Sequence, residues 1–352
     1  MDDILKYDFE EILSENDILW LKNKTVLITG VTGMIGSLLT HFLLYCNKKM
    51  NLNVSIIGLA RNQKKAEKIY NKQLQSEKLK MIYSDITDPV HIQEAVDYIF
   101  HMASATTSKF FVTYPAETLN IMYAGTKNML ELAREKKVEG MLYVSSMEVY
   151  GIANPELEYT TEEDLGYIDI LNVRSSYSEG KRISECLCAA YAMEFGVPVK
   201  IARLAQTFGA GILEEDNRVY AQFAKSVICK KDIVLHTAGK SWGNYCYTSD
   251  VLSAMLVLLA KGSNGQAYNV TNEVNTTTIR DMAEMVIQKF GNNNIKVAFE
   301  IPEDTLKYGY APDVKMHLSA KKLQQLGWKP KVLLEEMYRR MLMYMKHNHY
   351  GK

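Results

Sequence analysis

Tyr177-Ser178-Glu179-Gly180-Lys181 sets a phenol and an ammonium four residues apart, which on a helix puts both on one face. Free tyrosine titrates near pH ~10, too high for a general base at neutrality. A lysine cation close by favours the phenolate and lowers that value. Such a pair suits proton removal from an alcohol during its oxidation. YxxxK alone arises often by chance, so its weight comes from its company. That company is Val144-Ser145-Ser146-Met147-Glu148-Val149-Tyr150-Gly151. The Ser146 hydroxyl can hydrogen-bond the reacting oxygen while Tyr177 takes its proton. Glu148 could do acid–base work beside it, or could cap a neighbouring backbone group.

A second motif supplies the partner for that redox chemistry. Thr29-Gly30-Val31-Thr32-Gly33-Met34-Ile35-Gly36 places three glycines between an apolar β-branched run and an apolar helical stretch. Glycine allows the tight turn, close backbone approach to a diphosphate and close helix–strand packing, and the helix N-terminus offers N–H groups and a positive dipole end. Gly30, Thr32, Gly33, Met34, Ile35 and Gly36 are therefore the expected cradle of a nicotinamide dinucleotide. The second strand ends Leu59-Ala60-Arg61, with no carboxylate for the adenosine ribose. Arg61 could meet a 2′-phosphate, which keeps NADP open beside NAD, or could be a solvated strand end. Asp85 and Ile86, after the third strand, could flank the adenine.

These residues need a scaffold that alternates strand and helix. TVLIT, VSIIGLA, KLKMIYSDI, VDYIFHMA, GMLYVSS and VPVKIARLA read as six strands with helical stretches between most of them. That rhythm predicts right-handed crossovers and an α/β fold with a doubly wound parallel Rossmann sheet. Ligands then sit beyond the C-terminal strand ends, where Ser146 and Glu148 fall. Residues 1–22 read as an N-terminal helical extension with Trp20 and Leu21 against the body. Residues 23–208 form the dinucleotide-binding domain, with a helix over 250–262 returning to it. Segments 209–249 and 263–345 make a smaller substrate-binding lobe.

With 352 residues, 47% hydrophobic and 23% charged, the chain is an ordinary globular protein. Lys plus Arg and Asp plus Glu both number 41, so no bulk field attracts nucleic acid or a membrane surface. No stretch approaches the roughly 20 apolar residues of a membrane span, and the acidic, amphipathic MDDILKYDFEEIL is unlike a signal peptide. The five cysteines (Cys46, Cys186, Cys188, Cys229, Cys246) are scattered. They are expected to be buried free thiols in a reducing cytoplasm, with no metal site.

Taken together, these motifs resemble the extended short-chain dehydrogenase/reductase family in its NAD-dependent epimerase/dehydratase, nucleotide-sugar branch. The resemblance runs from about Lys24 to Tyr338 and includes His101-Met102-Ala103-Ser104, Asn120, Gly125-Thr126, Arg203-Leu204, Phe208-Gly209, Tyr247-Thr248-Ser249-Asp250 and Leu326-Gly327-Trp328-Lys329-Pro330. It implies that Met102, Ala103 and Ser104 line the cofactor, that Lys181 also holds the nicotinamide ribose, and that Gln206 and Arg218 meet the substrate. The segment Tyr177 to Arg182 is most similar to that of UDP-glucuronate decarboxylases. Dehydratases of the branch carry an Asp where Met147 stands, which disfavours classical dehydration; decarboxylases usually carry a Ser there, so Met147 departs from that pattern too. Gln206 replaces the family's Asn, and Gly243 an arginine.

The activity implied is transient C4 oxidation of a nucleotide sugar followed by decarboxylation. Alternatives are 4-epimerisation or 4,6-dehydration by the same machinery, a net NADPH-dependent reduction of a keto-sugar nucleotide, or a cofactor-binding regulator. A homodimer is implied through the helices containing Leu119–Lys136 and Tyr177–Phe195, which carry the surplus apolar residues Met122, Met129, Leu187 and Met193.

Overall fold

An Asp2 side chain accepting from the Ile4 N–H starts the first helix, α1 (Asp3–Glu15), which turns Leu5, Phe9 and Ile12 inward. The structure, a computed structural model, describes residues 1–291, 295–301 and 315–350. The strand-and-helix alternation then begins with β1 (Thr25–Thr29), α2 (Met34–Met50), β2 (Ser55–Ala60), α3 (Gln63–Tyr70) and β3 (Leu79–Tyr83). It continues with β4 (Tyr98–His101), a short α4 (Ser108–Thr113), α5 (Pro115–Lys136), β5 (Gly140–Ser146), α6 (Ser176–Phe195) and β6 (Val199–Leu204). After β7 (Gln206–Phe208) come α7 (Val219–Cys229), β8 (Ile233–Leu235), β9 (Trp242–Tyr247), α8 (Thr248–Lys261), β10 (Ala267–Val270) and β11 (Asn272–Thr278). The last elements are α9 (Ile279–Phe290), β12 (Val297–Phe299), α10 (Lys321–Gln324) and α11 (Leu334–His347).

All six expected strands enter one parallel sheet, ordered β10-β6-β5-β4-β1-β2-β3. Strand order reverses between β1 and β4, the switch point where a doubly wound sheet opens a crevice. Both faces are covered. One core holds Phe9, Leu39, Phe42, Leu43 and Leu258; the other holds Met129, Leu130, Met141, Cys188 and Ile201. A strand buried on both faces tends to read as an apolar run, as Tyr98-Ile99-Phe100 of β4 does, while β6 is buried throughout although Lys200 and Arg203 interrupt its run.

The sheets do not follow the boundaries expected at 208 and 263. A seventh strand, β10, lies inside the segment assigned to the smaller lobe and extends the central sheet beside β6. Its sequence, Ala-Tyr-Asn-Val, hides a strand because Asn269 interrupts the apolar pattern. That amide is fully buried, accepting from Tyr150 Oη at 2.7 Å and donating to Ser319 O at 3.0 Å. Conversely β7, inside the expected dinucleotide domain, joins β9 and β11 in a separate three-stranded sheet. Residues 292–294 and 302–314 of the expected lobe lie outside the described residues.

The cysteine expectation holds in part: Cys46, Cys188 and Cys246 are buried, but Cys186 and Cys229 are exposed. Of the surplus methionines, Met122 and Met129 belong to the core, while Met193 is 86% exposed. Among the described residues no helix is long and apolar enough to cross a membrane.

Candidate active site

The turn from β1 into α2 is shaped by its glycines. Gly30 has φ +67°, and a Cβ there would lie 2.8 Å from Ala103 N and Met102 C. A Cβ on Gly36 would lie 2.3 Å from Gly30 O, so α2 rests directly on the turn. Gly33 N–H donates to Gly30 O at 2.9 Å, and Gly33 is the N-cap of α2 with no side chain capping it. A narrow glycine cradle opening an uncapped 17-residue helix fits the diphosphate of a dinucleotide. Met34 and Gly36 are buried; Thr32, Gly33 and Ile35 are partly exposed at the turn.

A residue that sequence reasoning passed over locks this turn to the end of β4. Thr29 Oγ1 accepts from the N–H groups of Met102 and Ala103, both at 3.0 Å, and bonds His101 Nδ1 at 2.8 Å. His101 Nε2 continues to Thr126 Oγ1 at 3.2 Å, which bonds Ser184 Oγ on α6 at 3.2 Å. Burial, reinforced by the Lys181 charge, pulls the imidazole down to about 3, so it stays neutral. Met102, Ala103 and Ser104 are thereby brought beside Gly30. The polar Thr at a strand end and the His in an apolar strand were the available signals.

Arg61, Asp85 and Ile86 meet differently from the expectation. Arg61 is exposed and pairs with Asp85, Nη1 to Oδ2 3.5 Å. Asp85 also accepts from Thr87 N at 2.9 Å and Oγ1 at 2.8 Å. Although burial works against it, these donors and Arg61 hold the carboxyl below its ordinary value. Ile86 is buried against Gly125, where a Cβ would come within 3.0 Å of it, so its side chain serves packing.

The Tyr177–Lys181 pair lies on α6, as the four-residue spacing requires, facing the C-terminal end of β5. Lys181 is 3% exposed, donates to Val144 O at 2.8 Å and lies 5.8 Å from the Tyr177 ring centroid. Burial pulls its ammonium down to about 8, against the pull of Glu185. Tyr177 stacks on Phe111 of α4 at 4.3 Å between centroids, 19° from parallel. The expected lowering of its phenol is not what the protein alone produces. Burial, then the Glu148 carboxylate, push it up to about 12, while the Ser146 hydroxyl, the Arg218 charge and the Ser104 hydroxyl pull the other way.

Ser146 accepts from Glu148 N–H at 3.2 Å and starts the 3-10 turn Met147–Tyr150. Glu148 Oε2 meets Arg174 Nη1 at 3.3 Å and Ser178 Oγ at 3.4 Å. Ser145 faces the opposite way, donating to Glu185 at 2.5 Å, where Arg203 clamps the same carboxylate at 2.7–3.1 Å. Gln206 is exposed on β7. Arg218 is the N-cap residue of α7, paired with Asp216 and set over the Tyr220 ring at 5.0 Å. Ser146, Glu148, Tyr177, Ser104 and Arg218 thus gather at one end of the cleft, and sequence reasoning missed Phe111 and Arg174 among them.

The profile of the NAD dependent epimerase/dehydratase family matches residues 26–271. A Xenopus tropicalis protein, UDP-glucuronic acid decarboxylase 1, is 30% identical over 343 residues, 97% of this chain and 75% of its own. Arabidopsis thaliana UDP-glucuronic acid decarboxylase 6 is 30% identical over 91% of this chain and 88% of its own. The solved UDP-glucose 4-epimerase of Thermotoga maritima with UDP-glucose superposes with TM-score 0.79 at 22% identity, over 92% of this chain and 99% of that one. The Bacillus anthracis dTDP-glucose 4,6-dehydratase in complex with NAD gives 0.75 at 20% identity, over 93% and 97%. Matched over most of its length by sequence and by fold, the chain belongs to the NAD dependent epimerase/dehydratase family of nucleotide-sugar enzymes.

Proposed function

We propose that this chain is a decarboxylase of the UDP-glucuronate type, acting through transient oxidation at C4 of the sugar. The observation that carries this reading is the cluster of Ser146, Glu148 and Tyr177 beside a glycine cradle, with Met147 where a dehydratase needs a proton donor. Decarboxylases at 30% identity over nearly the whole chain support it. Gly30, Thr32, Gly33, Met34, Ile35, Gly36, Met102, Ala103 and Ser104 would hold NAD, which when bound would supply reversible hydride transfer at C4. Tyr177 takes the C4 hydroxyl proton through a contact shared with Ser146, and Lys181 supplies the charge behind it. A C4 ketone on a hexuronate makes a β-keto acid, which loses carbon dioxide because the enolate is stabilised. Glu148 manages the proton at C5, while Arg218 and Gln206 hold the nucleotide end. The central sheet serves the cofactor, and the smaller sheets serve the substrate.

Incubating the purified protein with UDP-glucuronate and other nucleotide sugars, with mass detection, tests this. Loss of about 44 mass units marks decarboxylation, loss of about 18 dehydration, and no change epimerisation. Either of the last two outcomes removes the decarboxylase reading.

Arg61 favours a second reading, a net reductase drawing NADPH from solution, because the end of β2 carries a cation and no carboxylate. Denaturing the protein separates the two. Stoichiometric released NAD fits the redox-neutral cycle; an empty protein that binds NADPH fits the reductase.

A further inference from the structure

Glu148 poses an electrostatic problem for the proposed substrate. Its carboxylate stands about one-third exposed at the cleft, where a hexuronate would bring a second carboxylate. Two like charges in one site destabilise each other unless a cation lies between them. Arg174 is the cation in reach. It sits in the 3-10 turn Val173–Ser175, three residues before Tyr177, and is as exposed as Glu148. Its main chain is pinned, with Asn172 Oδ1 accepting from Arg174 N–H at 3.0 Å and Asp169 O from Ser175 Oγ at 2.7 Å. Its side chain meets Glu148 through Nη1 at 3.3 Å. A guanidinium carries five donors in a planar fork, enough to hold a carboxylate on each of two edges.

The neighbouring cations are committed elsewhere. Lys181 is buried on Val144 O. Arg182 donates to Val149 O at 2.8 Å and Gly166 O at 2.7 Å. Arg218 is paired with Asp216 over Tyr220.

We propose that Arg174 is the specificity residue of this site: seated against Glu148, its guanidinium receives the carboxylate of a uronic acid and lets the pocket accept an anionic sugar over a neutral one. The inference rests on the uronate reading above and adds to it the group that recognises the acid.

The test measures calorimetric binding of UDP-glucuronate, UDP-glucose and UDP to the NAD-loaded protein. Wild type binds the uronate more tightly than the hexose. Arg174→Gln weakens UDP-glucuronate by roughly 10- to 100-fold, the worth of a charge-assisted pair. UDP-glucose and UDP stay within about 3-fold, because neither brings a second carboxylate to Glu148. Arg174→Lys recovers part of the loss, since it restores charge without the fork. An equal loss for all three ligands would show a structural role and overturn the proposal, as would unchanged uronate affinity. A wild type that treats UDP-glucuronate and UDP-glucose alike sinks the uronate reading itself. That outcome is visible before any variant is made, so the two failures are distinguishable.

Discussion

At the scale of single residues, burial shifts the proposed base Tyr177 and the Lys181 cation beside it in opposite directions. Burial raises the Tyr177 phenol to about 12 and lowers the Lys181 ammonium to about 8. Each group is held nearer its neutral form, although at pH 7 Lys181 still keeps most of its proton and with it the charge beside Tyr177. Replacing Tyr177 with Phe removes the proton acceptor alone. Turnover should fall by about 100-fold or more, with NAD binding by fluorescence titration unchanged; unaltered turnover would take Tyr177 out of its role. Lys181 allows a sign to be worked out. Unfolded, it keeps its proton to about pH 10.4; folded, only to about 8. Between those values the unfolded chain binds more protons, so this group's contribution to stability rises with pH, and below pH 8 its full penalty applies. Lys181→Met should therefore be inactive yet more stable at pH 7, by up to about 3 kcal/mol. Thermal melts should show that gain shrinking as pH rises from 8 towards 10; a variant less stable at pH 7 would contradict it.

At the scale of elements, the glycine turn works because three segments share one hydroxyl. Thr29 ends β1, starts the turn and accepts two N–H groups from the end of β4. Thr29→Val keeps the shape and removes the acceptor, leaving those N–H groups and His101 Nδ1 without that partner. Each unsatisfied buried group costs about 1–3 kcal/mol, so denaturant melts should show a loss of about 2 kcal/mol or more, with weaker NAD binding. Gly30→Ala faces both a φ of +67° and a 2.8 Å clash with Ala103 N, and NAD affinity should drop further than in Thr29→Val. Unimpaired NAD affinity in Gly30→Ala would separate the turn from the cofactor. The glycines and the YxxxK spacing were legible because local geometry dictates the residue type there. Thr29, Phe111 and Arg174 were not, because each acts on a partner distant in the chain. Phe111 meets Tyr177 by stacking across α4 and α6, a contact that no periodicity encodes. β10 escaped for a related reason: its Asn269 amide is satisfied by Tyr150, Thr160 and Ser319, all from other parts of the chain.

For the whole molecule, the alternation of strand and helix foretold the sheet, since parallel strands buried on both faces must read as apolar runs. It could not tell which apolar helix residues face the sheet and which face outward. Met122 and Met129 went inward. What stays outside on α6 is a stripe of Ile183, Cys186, Ala190 and Met193, at helical spacing and all exposed. Leu119 and Tyr123 of the adjoining α5 are 41% and 43% exposed. A contiguous apolar strip on two neighbouring helices favours burial against another surface, and in the homodimer that the family resemblance implies its partner would be the same strip of a second copy. Isologous contact places Ala190 close to its own counterpart if the two-fold axis crosses α6. Ala190→Glu then sets like charges against each other while costing the exposed position of the single chain little. Sedimentation equilibrium should report a dimer for wild type and a monomer for Ala190→Glu, with equal melting temperatures when both are diluted to the monomer. A wild type that sediments as a monomer, or a variant that still pairs, would move the interface off these helices.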